Sequence, residues 1–546
     1  MTQTFRSLAL AHPRPLLVAF CLLLWLPGWF SLPPGDRDES RFAEATKQMP
    51  ESGDYVDIRN GAEARNRKPI GIYWLQVPGV AVARAIGIAH NNPIWPYRLP
   101  SLAGGLLAVL AVHGVGRRLF GAETALLGAA LLAGSVLLTV ETHIAKTDAA
   151  LLGATTLAML LLAQAYLTGR LSAVRAALFW LALGAGVLIK GPITPMIAGL
   201  TVLTLVVADR RGAWLRQLRA LWGVPLALAV VLPWFVAIGV ATHGAFFREA
   251  VGGDLGNKLA GGDDAHGAPP GFHLLLLSLT LLPAGWAVLQ SLPAAWAARR
   301  EPATRLLLAW AGPAWLVFEA VPTKLPHYPL PLMPALCLLA ARWLLDPARR
   351  PVPRWLAWLT GGLFVAAVAA LGLGAAALPL AVGAAWWLGL PALAAAGLLA
   401  WLVLRAWRAG QTLRAACFGL AASVPLYAAI LGIELPNLTP LWLAPRVAAA
   451  LAAHGPVTGF AAAGFAEPSL MFLCGTATKM LGDGAQAADF LAAAPGRAVA
   501  VEARQAAGFA ARAAALGLAP RAFAEVDGVN YSNGRRVRLS LFDRSS

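Results

Sequence analysis

Residues 355–377 read WLAWLTGGLFVAAVAALGLGAAA, 23 residues without a single charge. Wound as a helix at about 1.5 Å per residue, such a run crosses a hydrocarbon core of about 30 Å. Runs of this kind recur. Judged over windows of about 19 residues, candidate spans fall at 15–32, 98–116, 123–142, 149–168, 174–190, 192–208, 220–240, 272–292, 305–321, 328–345, 355–377, 380–404 and 415–433. The 546 residues are 58% hydrophobic and 13% charged, whereas a soluble chain carries about 25% charged residues. That composition excludes a soluble enzyme, a disordered chain and a secreted disulfide scaffold. The chain reads as an all-α polytopic membrane protein with about thirteen transmembrane helices.

The net charge of +17 is placed in short clusters between the apolar runs. They are Arg117/Arg118, Arg170/Arg175, Arg210/Arg211/Arg216/Arg219, Arg299/Arg300/Arg305, Arg349/Arg350/Arg354 and Arg405/Arg408/Arg414. All fall on the side of the N-terminus, which the positive-inside rule makes cytoplasmic; a nucleic-acid partner is not expected. The odd number of spans then puts the C-terminus outside. Arg6 and Arg14 precede the run at 15–32, but no clear small-x-small cleavage site follows, so a retained first span is expected. The apolar stretch 72–89 holds Pro78 and Arg84. Counting it as a span would move every later basic cluster outside, so it reads as an interfacial or re-entrant helix on the outer face.

Residues 1–433 therefore form the membrane domain, with a long outer loop at 34–97. Pro436 and Pro440 mark a linker into a second domain, 434–546. Short strands at 456–460 and 498–502, helices at 485–494 and 503–516 and a terminal VRLSLF strand suggest a small outer α/β domain. Cys21, Cys337 and Cys417 lie in apolar runs, so no disulfide framework follows.

A transporter or lipid flippase, the alternative reading, would carry ionisable residues mid-span. Here they gather in outer loops: 34–97, HIAKTD (143–148), IKGP (189–192), 241–271 and PTKLPHYPLP (322–331). Together these loops would build one polar cavity at the outer membrane surface. It suits a reaction between a lipid-bound substrate and something presented from the outer compartment. A sugar on a lipid phosphate has an anionic leaving group and needs cations, for which Arg41, Lys68, Lys190 and Lys324 are candidates. An acceptor hydroxyl needs a base, for which Asp38, Glu39 and Asp148 are candidates. Each has a plain alternative: helix N-caps for Asp38 and Asp148, snorkelling for Lys68 and Lys324, interface-belt aromatics for Tyr73 and Tyr328.

The motifs DESRFAEATKQM (38–49), GDYV (53–56), RKPIGIYWL (67–75), RLPSLAGG (98–105), AKTDAALL (145–152), KGP (190–192) and PTKLPHYPLPLMPAL (322–336) stand in this order. In them the chain resembles the polytopic GT-C glycosyltransferases, above all the bacterial aminoarabinose lipid A transferases and more distantly the protein O-mannosyltransferases. The resemblance implies an inner-membrane enzyme. It would take a monosaccharide from a polyprenyl-phosphate donor and pass it, with inversion, to lipid A, a glycan or a protein on the periplasmic face. It implies catalytic roles for Asp38, Asp148 and Lys68, the last against phosphate. Substrate-binding roles fall on Glu39, Arg41, Arg67, Tyr73, Lys190, His266, Lys324 and Tyr328. Lys146 replaces the Arg of the family's Arg-Thr-Asp motif, and Arg67 stands where the aminoarabinose branch carries Glu. A cation there repels a divalent metal and attracts phosphate, so neither a metal nor another cofactor is expected. Membrane lipids are the remaining partners, and a monomer is the default.

Overall fold

The computed structural model describes residues 10–35, 37–88, 92–256, 267–349 and 351–544. Among these, seven helices are long and apolar enough to cross a membrane. They are Trp95–Leu119, Asp148–Thr168, Ala173–Lys190, Ala220–Ala241, Arg354–Val382, Trp386–Arg408 and Thr412–Asn437. The pair Ala122–Ala133 and Val136–Thr142, bent by 62°, would make an eighth. The protein is a helical membrane protein.

The remaining apolar stretches take shorter or broken forms, and proline accounts for much of this. Pro13–Trp25 stops short of Pro27 and of Gly28, which adopts φ +78°. The stretch 272–292 divides into Phe272–Thr280 and Gly285–Ala297, with Pro283 between them. Ile193–Asp209 and Leu330–Leu345 are short apolar helices that begin beside prolines. Pro302–Ala320 carries Arg305 and Glu319 near its two ends. A hydropathy window measures apolarity and is blind to the missing N–H that ends a helix at proline.

The helices sort the chemistry by height. Trp95–Leu119 begins beside Arg98 and ends at Arg117 and Arg118. Asp148–Thr168 begins at Asp148 and ends just before Arg170, and Ala173–Lys190 runs the opposite way to finish on Lys190. Asp148, Lys190 and Arg98 thus share one end of the bundle, and the arginine clusters occupy the other, about 30 Å away. Small residues let the central helices approach: a Cβ on Gly153 would lie 2.7 Å from the Gly104 carbonyl oxygen.

Over the polar end lie two helices that do not span, Arg37–Ser52 and Gly71–Ala85. A two-stranded hairpin, β1 (Arg59–Asn60) and β2 (Glu63–Ala64), joins them. Gly71–Ala85 has 15 residues, about 22 Å of helix and too short to cross. Trp74, Leu75 and Val82 stay exposed along one side of it.

Beyond Leu443–His454 the chain builds a five-stranded sheet. Its strands are β3 (Gly459–Ala463), β4 (Lys479–Leu481), β5 (Arg497–Glu502), β6 (Pro520–Val529) and β7 (Arg536–Arg544), in the order β4-β3-β5-β7-β6. β3 pairs in parallel with β4 and β5, whereas β7 pairs antiparallel with β5 and β6. Helices Gly484–Ala492 and Ala506–Ala515 cover one face and Leu443–His454 the other. Val382, at the end of Arg354–Val382, packs with Leu438 and Val529, so this sheet sits over the end opposite the arginine clusters.

Candidate functional site

The sequence PPGDRDES (33–40) ends extended chain and starts a helix, and the helix Arg37–Ser52 carries Asp38 and Glu39 in its first turn. These neighbours point in opposite directions. Glu39 is fully buried against the equally buried Arg98. Its Oε1 accepts from Arg98 Nε at 2.8 Å and from the Ala145 N–H at 2.9 Å, and its Oε2 from the Gly35 N–H at 3.0 Å. Arg98 Nη1 donates to the carbonyls of Trp29 and Leu32, and Nη2 to the Pro33 carbonyl and to Glu39 Oε2 at 3.2 Å. This closed network fixes the first turn to the helix Trp95–Leu119 and to the turn at 143–147. Removing one partner of such a pair costs about 3–5 kcal/mol, because the other charge stays buried. Glu39, expected to bind substrate, has both carboxylate oxygens engaged within the protein and is turned away from the cleft.

Asp38 turns outward and is half exposed. Arg41 Nη1 lies 3.2 Å and Arg65 Nη2 3.6 Å from its Oδ1. A cavity of about 320 Å³ opens here, walled by Gly35, Arg37, Asp38 and Arg41 on one side and by Tyr531 and Ser532 on the other. Burial pushes the Asp38 carboxyl up, but the charges of Arg65, Lys146 and Arg41 outweigh it and hold the group below the usual carboxylate range. Arg65 in turn donates from Nε to the Tyr73 hydroxyl at 3.2 Å and lies over the Phe42 ring. Tyr73, expected to bind substrate, is wholly buried, and its hydroxyl holds Arg65 beside Asp38.

Asp148, at the head of its helix, is buried and paired with Lys190. His327 Nε2 lies 3.8 Å from the same carboxylate oxygen, and His327 Nδ1 lies 3.9 Å from Glu141. The Lys190 ammonium stands 5.7 Å from the Tyr328 ring centre. Burial, with Lys190 and Lys146 adding to it, drives the His327 imidazole down to about 3 against the pull of Asp148. Lys146 acts on Asp38, Asp148 and His327 alike, which ties the two carboxylates into one electrostatic site.

Lys68 is half-buried and Arg67 exposed, just before the buried Pro69 and Ile70. The next residue, Gly71, is pressed on the end of the Lys190 helix: a Cβ there would lie 2.6 Å from the Leu188 carbonyl carbon. Only glycine allows that approach, and it draws the Lys68 segment toward Lys190. Lys324 is buried, and its ammonium donates to the Val321 carbonyl at 2.8 Å, capping the helix Pro302–Ala320. A phosphate contact expected of Lys324 competes with that bond. His266 lies outside the described residues. Among the described residues no group of three His, Cys, Asp or Glu side chains converges as a metal site. Arg65, His327, Glu141 and Arg98 escaped the sequence reading. Arg98 and His327 do stand inside motifs quoted from it, at RLPSLAGG and PTKLPHYPLP.

The sheet-bearing segment completes the cleft. Glu467, buried, accepts from Asn530 Nδ2 at 2.9 Å and from Ser532 Oγ at 2.7 Å. Its other oxygen lies 3.1 Å from Arg37 Nε. One carboxylate thus joins the turn that carries Tyr531 and Ser532 to the start of the Asp38 helix. Farther along, Lys47 pairs with Glu44 and donates to the Phe472 carbonyl.

The family described as dolichyl-phosphate-mannose-protein mannosyltransferase matches residues 67–236. The chain is 29% identical over 347 residues to the undecaprenyl phosphate-alpha-4-amino-4-deoxy-L-arabinose arabinosyl transferase of Pseudomonas paraeruginosa, covering 61% of this chain and 60% of that one. It is 30% identical over 382 residues to the transferase of the same name from Pectobacterium carotovorum, covering 66% and 65%. The chain thus spans less than two thirds of the length of the curated relatives it matches. Among solved structures, ArnT from Cupriavidus metallidurans bound to undecaprenyl phosphate superposes with a TM-score of 0.74 at 21% identity, over 96% of this chain and 97% of that one. The archaeal oligosaccharyltransferase AglB from Archaeoglobus fulgidus, in complex with an inhibitory peptide and a dolichol-phosphate, gives 0.54 at 14% identity, over 91% and 70%. In sequence motifs this chain resembles the GT-C glycosyltransferases, and its fold is that of ArnT.

Proposed function

We propose that this protein is a membrane glycosyltransferase of the bacterial inner membrane. It moves a monosaccharide from a polyprenyl-phosphate donor to lipid A, a glycan or a protein on the periplasmic face, with inversion. The observation that carries the reading is Asp38, an outward carboxylate lining a cleft among Arg37, Arg41 and Arg65, with Lys146 near enough to depress its pKa. The named activity of the curated relatives supports the donor class.

In the proposed reaction an acceptor oxygen attacks the anomeric carbon. The bond from that carbon to the lipid phosphate breaks, and its electron pair stays on the phosphate. Arg41, Lys68 and Arg67 meet the growing charge, a role preorganised cations perform without reorganising at the moment of reaction. Asp38 stays ionised to unusually low pH, which makes it a weak base and a strong anchor. It therefore orients the acceptor, taking its proton when the acceptor is a hydroxyl and balancing charge when it is a phosphate. Asp148, with Lys190 and His327, holds the second wall of the site. No metal enters this scheme, since Arg67 beside Lys68 repels one. Tyr531 and Ser532 face the acceptor, which makes 434–546 a periplasmic α/β domain that helps select it. The scheme includes about thirteen crossings of the membrane, as the sequence suggests, with the shorter helices completing the set, and a monomer.

Asp38→Asn keeps the shape of the side chain and removes its charge. Release of undecaprenyl phosphate from a sugar-loaded donor by the purified protein is expected to fall by about a hundredfold or more. The melting temperature should hold, because Asp38 is half exposed. Full turnover by this variant would overturn the proposal.

A further inference from the structure

A second and larger cavity, of about 800 Å³, lies at the opposite end of the bundle from Asp38. It is framed by the helices Gly285–Ala297, Met333–Leu345, Arg354–Val382 and Leu390–Arg408. Its walls are apolar and aromatic, with Trp343, Trp358, Val365, Leu404 and Trp407 among them. Its polar groups are few: Arg349 and Arg408, with Gln290 and Thr412. Arg349 stands over the Trp343 ring, 5.2 Å from its centre, and donates to the Leu344 carbonyl at 3.1 Å, so its guanidinium is held in place. Arg408 is exposed. The Thr412 hydroxyl is buried and has no hydrogen-bond partner among the described residues.

Two glycines make the space. Trp407 lies on the bare backbone of Gly361, where a Cβ would come within 2.8 Å of its ring. At Gly362, a Cβ would meet nothing within 4 Å. The surrounding charge is mostly positive. Between 342 and 414 the chain has seven arginines and a single acidic residue, Asp346. The position in the bilayer is set by the helix Arg354–Val382. Gly362 stands near its start, and its far end packs with Val529, close to Tyr531 of the Asp38 cleft. Twenty residues of helix separate the two levels, about 30 Å, or a full hydrocarbon core.

We propose that this cavity binds an anionic glycerophospholipid of the leaflet opposite the Asp38 cleft. The headgroup phosphate meets Arg349 and Arg408, the Thr412 hydroxyl donates to a glycerol ester oxygen, and the first methylenes of one chain fill the space beside Gly362. Basic pockets between transmembrane helices recognise anionic headgroups in this way, and the volume lies in the range of lipid and small-ligand sites. The polyprenyl donor is a poor occupant, because its phosphate belongs a membrane thickness away at the other surface. The inference rests on the helical membrane fold and stands whether or not the proposed transferase activity does.

The test is native mass spectrometry of the full-length protein, delipidated and then titrated with phosphatidylglycerol, phosphatidylcholine or undecaprenyl phosphate. Phosphatidylglycerol is expected to bind about tenfold more tightly than phosphatidylcholine, because two guanidiniums repel the choline cation that phosphatidylcholine carries beside the same phosphate. Arg408→Gln should remove most of that preference, and Gly362→Leu, which fills the cavity, should abolish the bound lipid. Both positions are open, so the folded protein should persist with an unchanged melting temperature; if Gly362→Leu fails to fold, Arg408→Gln decides alone. Equal binding of the two phospholipids, or a preference untouched by Arg408→Gln, would overturn the site. So would binding of undecaprenyl phosphate with none of phosphatidylglycerol.

Discussion

His327 is a largely buried imidazole that faces Asp148, Glu141 and Lys190. In the unfolded chain a histidine takes up its proton near pH 6.5, but here burial and the neighbouring ammonium groups delay it to about 3. Between those values the unfolded chain holds a proton that the folded one refuses. Stability therefore falls as pH falls through this window, by about 1 kcal/mol per pH unit from this group. Melting curves in detergent between pH 7 and pH 5 should show that slope, and His327→Gln should flatten it; an equal slope in the variant would remove His327 as its source. The residue also shows where sequence reading stops. Within DESR, helical spacing puts Asp38 and Arg41 on one face, so their pairing is legible. Glu39 next to them turns inward to Arg98, 59 positions away, and nothing local announces that partner. His327 stands in PTKLPHYPLP among prolines, where no periodicity tells which side chain turns toward Asp148.

Helices meet by surface shape, and one close crossing in the polar half of the bundle depends on glycine. Trp95–Leu119 and Asp148–Thr168 touch through Gly104 and Gly153, with no room for a side chain between backbone and backbone. Gly153→Leu must push apart the two helices that carry Arg98 and Asp148. Overpacking of this kind costs about 1–3 kcal/mol, and because the site straddles the crossing, the proposed transferase activity should fall along with the melting temperature. A variant that melts lower yet turns over normally would detach the crossing from the site. Such glycines are visible in the sequence only as small residues in an apolar run, and their partner helix is not. Continuity is equally hidden. Long runs such as 355–377 became single helices, whereas 272–292 broke at Pro283 and 15–32 ended before Pro27, with apolar content much the same throughout.

Charge is the feature of the chain that sequence renders best, because it is set by composition and not by packing. Arginines collect at one end of the bundle, and Asp38, Asp148 and Lys190 at the other. The proposed orientation makes a direct prediction: a reporter fused after Gly212 should be active only in the cytoplasm, and one fused to the C-terminus only in the periplasm. Both on one side would reverse or break the proposed topology. The sheet was less legible. The first expected strand, 456–460, lies three residues early against β3, and β4 and β6 went unread. β6 in particular shows little of the alternation that marks a half-buried strand, since most of its residues stay accessible.

Glu467 gives the architecture a practical corollary. A single carboxylate clasps both Arg37 and the turn at Asn530 and Ser532, so the sheet-bearing module is not a detachable cap. A hybrid that borrows this module from a cousin must bring an acid at the matching spot, or the roof above the Asp38 cleft will sit ajar.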